Sequence, residues 1–145
     1  MNKDKVRQAI VGMRVLSPLK TDLRSKIADI LLDIGVPQRV AVRTTLFRAG
    51  DLTNDVGVLV VSGELDVEKE GQPPITAYAP DLIGEMAQLN PTRQRTATVT
   101  AATELEVLRF NWPAFTSSAR SRLTDEEINA FTAALQEHAW AHFMS

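Results

Sequence analysis

The chain of 145 residues contains no cysteine and only two histidines. The absence of cysteine excludes disulfide scaffolds, cysteine-based zinc sites, thiol nucleophiles and iron–sulfur clusters. The sequence also lacks an apolar run long enough to cross a bilayer, and its amino terminus has no long apolar stretch followed by a small-residue cleavage site. We therefore expect a cytoplasmic protein that does not enter a membrane.

Nor does the sequence carry an excess of charge of one sign. It has 16 Lys and Arg against 18 Asp and Glu, a formal net charge of -2. This balance lacks the basic footprint of a nucleic-acid binder, so we expect no direct DNA binding by this chain. A hydrophobic content of 44% is enough for one packed core at this length. We find no linker or internal repeat, and we predict a single domain over residues 1–145.

The hydrophobic spacing divides the chain into three parts. Apolar residues at helical spacing predict helices within residues 1–36, with Ser17 as a cap and Pro18 at a first helical position. Short β-rich runs separated by turn signals predict strands over residues 38–111, which we interpret as an antiparallel meander. Helical spacing returns over residues 113–143.

Alternating apolar and polar residues predict strands with one buried and one wet face. In "RTATVTA", Ala97, Val99 and Ala101 share one face and threonines occupy the other. "ELDVEKE" and "ELEVLRF" repeat the same pattern. We therefore expect these three strands to be covered on one side only.

The segment "GEMAQLNPTRQRTATV", residues 84–99, has the features of an anion cradle. A short helix entered through Gly84 would present free backbone N–H groups and the positive end of its dipole. Arg95 adds a planar fork that matches two phosphate oxygens. Glu85 is an acceptor that suits a sugar hydroxyl. An anion beside a hydroxyl donor describes a nucleotide ribose phosphate. Arg93 is a rival for the phosphate, but Arg95 directly precedes the small-residue strand.

Four stretches, "LFRAGD", "VVSGELDV", "IGEMAQL" and "RTATVTA", in this order and at these separations, resemble the cyclic nucleotide-binding domain. This domain is shared by the catabolite activator family, cyclic-nucleotide-gated channels and the regulatory subunits of protein kinase A. The resemblance covers roughly residues 16–140. Its most specific part is the phosphate-binding cassette, residues 84–99 here.

The resemblance implies an α+β fold. Its centre is an antiparallel β-roll, a double-stranded β-helix of the jelly-roll type, flanked by N-terminal helices and a C-terminal lid helix. It places Glu85 on the ribose 2′-hydroxyl and Arg95 on the exocyclic phosphate oxygens. Backbone N–H contacts are implied from Gly84, Met86 or Ala87 and from Thr96 or Ala97.

Two positions depart from the family pattern. Pro80 stands where the family usually has a glycine before the turn into "GE", and proline cannot take the positive φ that glycine can. A second family glycine, before "LF", is replaced here within Arg43, Thr44 and Thr45. We expect both changes to alter turn geometry more than ligand binding.

The identity of the base is not decided by the cassette. Thr96 could reach an amino group on a purine, and it occurs in binders of cAMP and of cGMP. Its β propensity explains it equally well. We favour cAMP because it is the commoner ligand of soluble family members of bacterial type. The ligand could also have been lost from a degenerate roll.

The last helix is expected to begin at the capping box formed by Thr124 and Glu127. It carries an apolar stripe that could cover the roll, pair with the same helix of another copy, or do both in part. That stripe consists of Ile128, Phe131 and Leu135. Thr132 and Gln136 beside it are candidate base contacts, and Trp140 could stack on the base or simply pack.

His138 and His142 have the four-residue spacing of a two-histidine metal site. A third ligand is not evident, so we expect no metal and no cofactor. An enzyme would need a metal cluster or a base and nucleophile inside the roll, yet both histidines lie on the last helix.

The sequence thus predicts a non-enzymatic sensor of cAMP or cGMP. Ligand binding would be relayed through the C-terminal helix to an unidentified protein effector, in a homodimer formed through that helix. Two alternatives remain open. One is a ligand-free dimerisation or interaction module, and the other is a regulatory fragment of a larger transcription factor, channel or transporter.

Overall fold

The computed structural model describes residues 2–52, 55–83, 94–95 and 97–144, with the side chains of the last helix described as far as residue 138. The helices are α1 (Lys3–Val11), a 3-10 helix (Arg14–Leu16), α2 (Thr21–Ile34), α3 (Trp112–Arg122) and α4 (Asp125–Met144). The strands are β1 (Val36–Val40), β2 (Thr45–Phe47), β3 (Val56–Ser62), β4 (Glu64–Glu68), β5 (Ile75–Tyr78), β6 (Asp81–Ile83), β7 (Thr98–Ala101) and β8 (Leu105–Asn111).

The strands form two antiparallel four-stranded sheets. The first sheet has the order β1-β8-β3-β6 and the second the order β2-β7-β4-β5. This arrangement, with helices before and after it in the chain, confirms the predicted α+β roll. The predicted meander is wrong, because among the described strands only β4 and β5 are neighbours both in sequence and in a sheet. Alternation along a strand determines which face is buried but carries no information on the pairing partner.

Apolar side chains pack in two layers, one on each face of the first sheet. The layer inside the roll draws residues from both sheets, namely Val40, Phe47, Val58, Val60, Leu65, Ile83, Val99, Ala101, Leu105 and Val107. The other layer packs the opposite face of the first sheet against the helices, through Leu59, Val61, Leu82, Leu108 and Phe110. The prediction of one wet face is therefore wrong for β8, because helices cover the face that carries Leu108 and Phe110.

Aromatic rings join the end of β8 to the C-terminal helices. Phe110 and Trp112 meet edge to face with their centroids 4.9 Å apart. Phe115 on α3 lies 5.2 Å from Phe131 on α4. Pairs of this geometry add about 0.5–1.5 kcal/mol beyond the area they bury. They fasten α3 and α4 to the roll and to each other.

The capping box of α4 is confirmed. The Glu127 amide donates to Thr124 Oγ1 at 3.1 Å, and the Thr124 amide donates to Glu127 Oε1 at 3.0 Å. These bonds, together with Lys26, lower the pKa of Glu127. The predicted cap at Ser17 is wrong. The amide of Leu19 donates to Leu16 at 2.9 Å, so turns continue past Ser17 and α2 begins only at Thr21.

The roll begins at Val36, two residues earlier than the predicted boundary at residue 38. Pro37 lies within β1, opposite Leu108 of β8. Proline is tolerated there because β1 is an edge strand of its sheet. None of the helices among the described residues is both long and apolar enough to cross a membrane.

Replacing Arg43 with glycine is expected to raise the free energy of unfolding by up to about 1 kcal/mol. Arg43 has φ of 70°, in the region that favours glycine, and its amide donates to the Ala101 carbonyl at 2.8 Å. Stability rises because glycine adopts a positive φ without strain, and the rise is reduced because glycine has more conformational freedom in the unfolded chain. Urea denaturation measures the change in the free energy of unfolding. Arg48→Gly, without a positive φ to relieve, should lower stability, and the same loss for Arg43→Gly would contradict the account.

Candidate functional site

Arg95 is held by its backbone before its side chain makes any contact. Its amide donates to the Asp51 carbonyl at 2.7 Å, and its carbonyl accepts from the Gly50 amide at 2.9 Å. Leu52 and Gln94 form an antiparallel bridge beside it. The segment of residues 50–52 therefore fixes the point from which the arginine side chain enters the roll.

The side chain of Arg95 is buried, with 6% of the residue exposed. Its guanidinium carbon lies 3.9 Å from the centroid of the Phe47 ring. Nη2 donates to the Val56 carbonyl at 3.1 Å. Phe47 ends β2 and Val56 begins β3, so each sheet contributes one of these contacts. A cation over an aromatic face is stabilised by the ring quadrupole, more strongly when it is removed from water.

Burial lowers the pKa of Arg95 below its ordinary value, and the negative charge of Asp55 acts in the opposite direction. A guanidinium nevertheless stays protonated in proteins near neutral pH. The site therefore contains a permanent cation in a region of low dielectric constant, where its interaction with an anion is stronger than in water. Its planar fork is suited to bidentate contact with phosphate or carboxylate.

Most of the other predicted ligand residues lie outside the described part of the chain. These are Gly84, Glu85, Met86, Ala87 and Thr96, and also the rival Arg93. Ala97 is described and buried, on the same strand face as Val99 and Ala101, so the predicted alternation of this strand is confirmed. β6 ends at Ile83, directly before the predicted cassette.

The two candidate base contacts are exposed on α4. Thr132 Oγ1 donates to the Ile128 carbonyl of its own helix at 2.9 Å. Thr132 also lines a groove of about 250 Å³ between α3 and α4. Within the described part of the chain, the contacts found join neither Thr132 nor Gln136 to Arg95. Their role in binding the base stays a prediction.

The apolar stripe of α4 packs on the helical layer. Phe131 is buried, whereas Ile128 and Leu135 are half-buried against the same cluster. Much of this stripe therefore packs within one chain and is not available for pairing with a second copy. The groove between α3 and α4 leaves part of the stripe accessible.

Sequence reasoning missed three contacts of this region. Phe47 was noted only within "LFRAGD", as part of the resemblance, although its ring carries the arginine. Asp55 was not singled out, yet its carbonyl accepts from the Trp112 amide at 2.8 Å and so links the site to α3. His138 was assessed only as a metal ligand, but it is buried with Nε2 at 3.3 Å from Asp81 Oδ1 of β6.

Comparison with known proteins gives the chain its family. The model of the cyclic nucleotide-binding domain matches residues 37–122, more than half of the chain. The chain belongs to this family.

Two solved structures share the fold. The regulatory domain of Toxoplasma gondii PKA with cAMP superposes with a TM-score of 0.66 at 20% identity, over 88% of this chain and 46% of that one. The sensor domain of the transcriptional regulator DNR from Pseudomonas aeruginosa gives a TM-score of 0.65 at 14% identity, over 94% of this chain and 91% of that one.

A relative is also found among curated proteins, the Pycsar effector protein XpPycTIR of Xanthomonas perforans. It is 25% identical over 96 residues, which are 66% of this chain and 31% of the effector. The chain thus spans about a third of the length of this relative.

Proposed function

We propose that this chain is a non-enzymatic sensor of a cyclic nucleotide, with cAMP preferred to cGMP, and that Arg95 binds the cyclic phosphate. The observation that carries the proposal is the buried guanidinium of Arg95, positioned by Phe47 and Val56. It supports this function because Arg95 is the arginine that, by motif position, contacts the phosphate in the family, and a buried guanidinium is suited to an anion.

The cyclic phosphate carries one negative charge shared by two exocyclic oxygens, a shape that a planar guanidinium matches. A guanidinium has five N–H donors, so donation to the Val56 carbonyl is compatible with simultaneous contact to an anion. Because Phe47 and Val56 already fix the side chain, little rotamer freedom is lost when the ligand binds. By motif position, Glu85 would accept from the ribose 2′-hydroxyl.

The preference for cAMP is supported by one of the similar structures. The Toxoplasma gondii structure was solved with cAMP. Thr132 and Gln136 are proposed to meet the base if α4 closes over the ligand, since both are exposed polar side chains on that helix.

We further propose that binding is relayed to α4. Val56 accepts from the Arg95 side chain, and the adjacent Asp55 accepts from the Trp112 amide at the start of α3. α3 in turn contacts α4 through Phe115 and Phe131. If the ligand binds one position of α4 tenfold more tightly than another, it shifts the equilibrium between the two positions by ~1.4 kcal/mol. The output would be a changed contact with a protein effector or with α4 of a second copy.

A second candidate is a regulatory domain within a larger protein. The effector from Xanthomonas perforans favours it, since the aligned region is only 31% of that protein. The ligand chemistry would be the same in both cases.

Isothermal titration of the purified chain with cAMP, cGMP, cCMP, cUMP and linear AMP tests the proposal. We expect saturable binding of cAMP, weaker binding of cGMP, and no binding of AMP at the same concentrations, because the terminal phosphate of AMP differs in charge and shape. Tighter binding of another cyclic nucleotide would replace cAMP and keep the site. Binding of none of them would reject the function.

A further inference from the structure

Asp81 and His138 form a buried polar contact between two elements that have separate tasks in the proposed function. Asp81 is the first residue of β6, the strand that ends directly before the predicted cassette. His138 lies in the second half of α4, the helix proposed to carry the output. Nε2 of His138 and Oδ1 of Asp81 are 3.3 Å apart, and the two side chains are 6% and 12% exposed.

Both residues are polar groups that are buried beside apolar side chains. A helix face that packs on an apolar cluster is normally apolar throughout, as the neighbouring Phe131 and Ala134 are. Burying a carboxylate or an imidazole is unfavourable unless a polar partner compensates for lost water. A buried polar pair therefore contributes less to stability than to the choice of one arrangement over others.

The Asp81 carboxylate also acts along its own strand. Oδ1 accepts from the Leu82 amide at 2.8 Å. The same oxygen thus touches α4 and orders the backbone that leads into the cassette. Displacement of His138 removes its contact with this oxygen.

Two other charged residues line a cavity that His138 also lines. Arg14 from the 3-10 helix and Glu137 from α4 line a cavity of about 160 Å³ beside the imidazole. α4 packs against the same 3-10 helix, which also meets β6. The imidazole therefore lies where α4 meets the 3-10 helix and β6. Asp81 is its acidic neighbour from the sheet.

We propose that Asp81 and His138 form a latch that holds α4 against β6. The latch would thereby couple the position of α4 to the affinity for the nucleotide. Only the coupling to nucleotide affinity rests on the proposed function; the contact between α4 and β6 does not. With the latch closed, α4 stays in its nucleotide-free position, and the contact must break before the helix can close over the ligand, which opposes binding. With the latch open, α4 loses this restraint.

The first test uses the nucleotide-free protein and needs no ligand. Amide hydrogen exchange is measured on the wild type, Asp81→Leu, His138→Leu and the double variant. We expect amides of α4 between residues 128 and 138 to exchange about tenfold faster in each variant. The double variant should exchange no faster than the single ones, because both remove one contact. Wild-type exchange rates in the single variants would overturn the latch.

Two further variants separate the latch from loss of packing or of charge. His138→Gln keeps a side-chain N–H donor and should restore most of the protection that His138→Leu removes. Lys26→Gln breaks an ion pair between α2 and the start of α4, in which Lys26 Nζ lies 2.9 Å from Glu127 Oε2. It should leave exchange unchanged, since exposed pairs contribute little. Equal effects of Lys26→Gln and His138→Leu would contradict a specific latch.

The second test measures coupling to the ligand by titration with cAMP. We expect affinity to rise about three- to thirtyfold in His138→Leu, with no further rise in the double variant. Unchanged or reduced affinity would overturn the coupling. If the wild type binds no cyclic nucleotide, the proposed function fails while the exchange experiment still decides whether the latch exists.

Discussion

Replacing Arg95 with alanine is expected to weaken cAMP binding by about 2–5 kcal/mol, a factor of roughly 30 to 5,000. The loss is large because the guanidinium is buried and its charge acts on the phosphate with little solvent screening. Titration calorimetry of wild type and variant measures it.

Three variants make the Arg95 result specific. Arg95→Lys keeps the charge but lacks the planar fork, so we expect an intermediate loss. Phe47→Leu keeps an apolar side chain but removes the ring under the guanidinium, at a loss of about 1 kcal/mol in binding. Arg109→Ala removes an exposed arginine of β8 and should bind like wild type. Retained affinity in Arg95→Ala, with the fold intact by circular dichroism, would reject its assigned role.

Replacing Gly63 with alanine is expected to lower the free energy of unfolding by about 2–5 kcal/mol. Gly63 joins β3 to β4 with φ of +111°. A Cβ there would lie 2.5 Å from Leu105 Cδ2 and 2.7 Å from the Glu104 carbonyl oxygen. The backbone oxygen cannot swing away as a flexible side chain can, so the start of β8 must shift. Thermal unfolding should occur roughly 5–15 °C lower.

Gly71→Ala is the matched control for Gly63. Gly71 also has a positive φ, of +75°, but an added Cβ would meet nothing within 4 Å. This variant should lose only the conformational term, about 1 kcal/mol. A loss for Gly63→Ala no larger than that for Gly71→Ala would show that the strand start tolerates the extra carbon.

Local features of the fold could be predicted from the sequence because they depend on neighbouring residues. The capping box of Thr124 and Glu127 and the buried face of Ala97, Val99 and Ala101 follow from short-range hydrogen bonding and strand alternation. The pairing of strands could not be obtained this way. The family resemblance implied a β-roll, but the predicted meander was wrong, since a hydrophobic pattern does not identify a distant partner.

The candidate site was predictable only in part, for the same reason. Arg95 stood out through its motif. Phe47, Val56 and Asp55 reach it only because the roll folds distant segments together. The contact of Asp81 with His138 likewise depends on where α4 packs, which helical spacing does not determine.

The central claim is that Arg95 is the phosphate ligand of a cyclic nucleotide, and its side-chain NMR signal tests this most directly. In protein labelled with ¹⁵N-arginine, the Nε–H resonance of Arg95 is assigned by its loss in Arg95→Lys. Because the guanidinium lies over the Phe47 ring, we expect this signal to be shifted by the ring current before any ligand is added. Saturating cAMP should move it further, and AMP at the same concentration should not. A signal that stays in place while cAMP is bound would contradict the account.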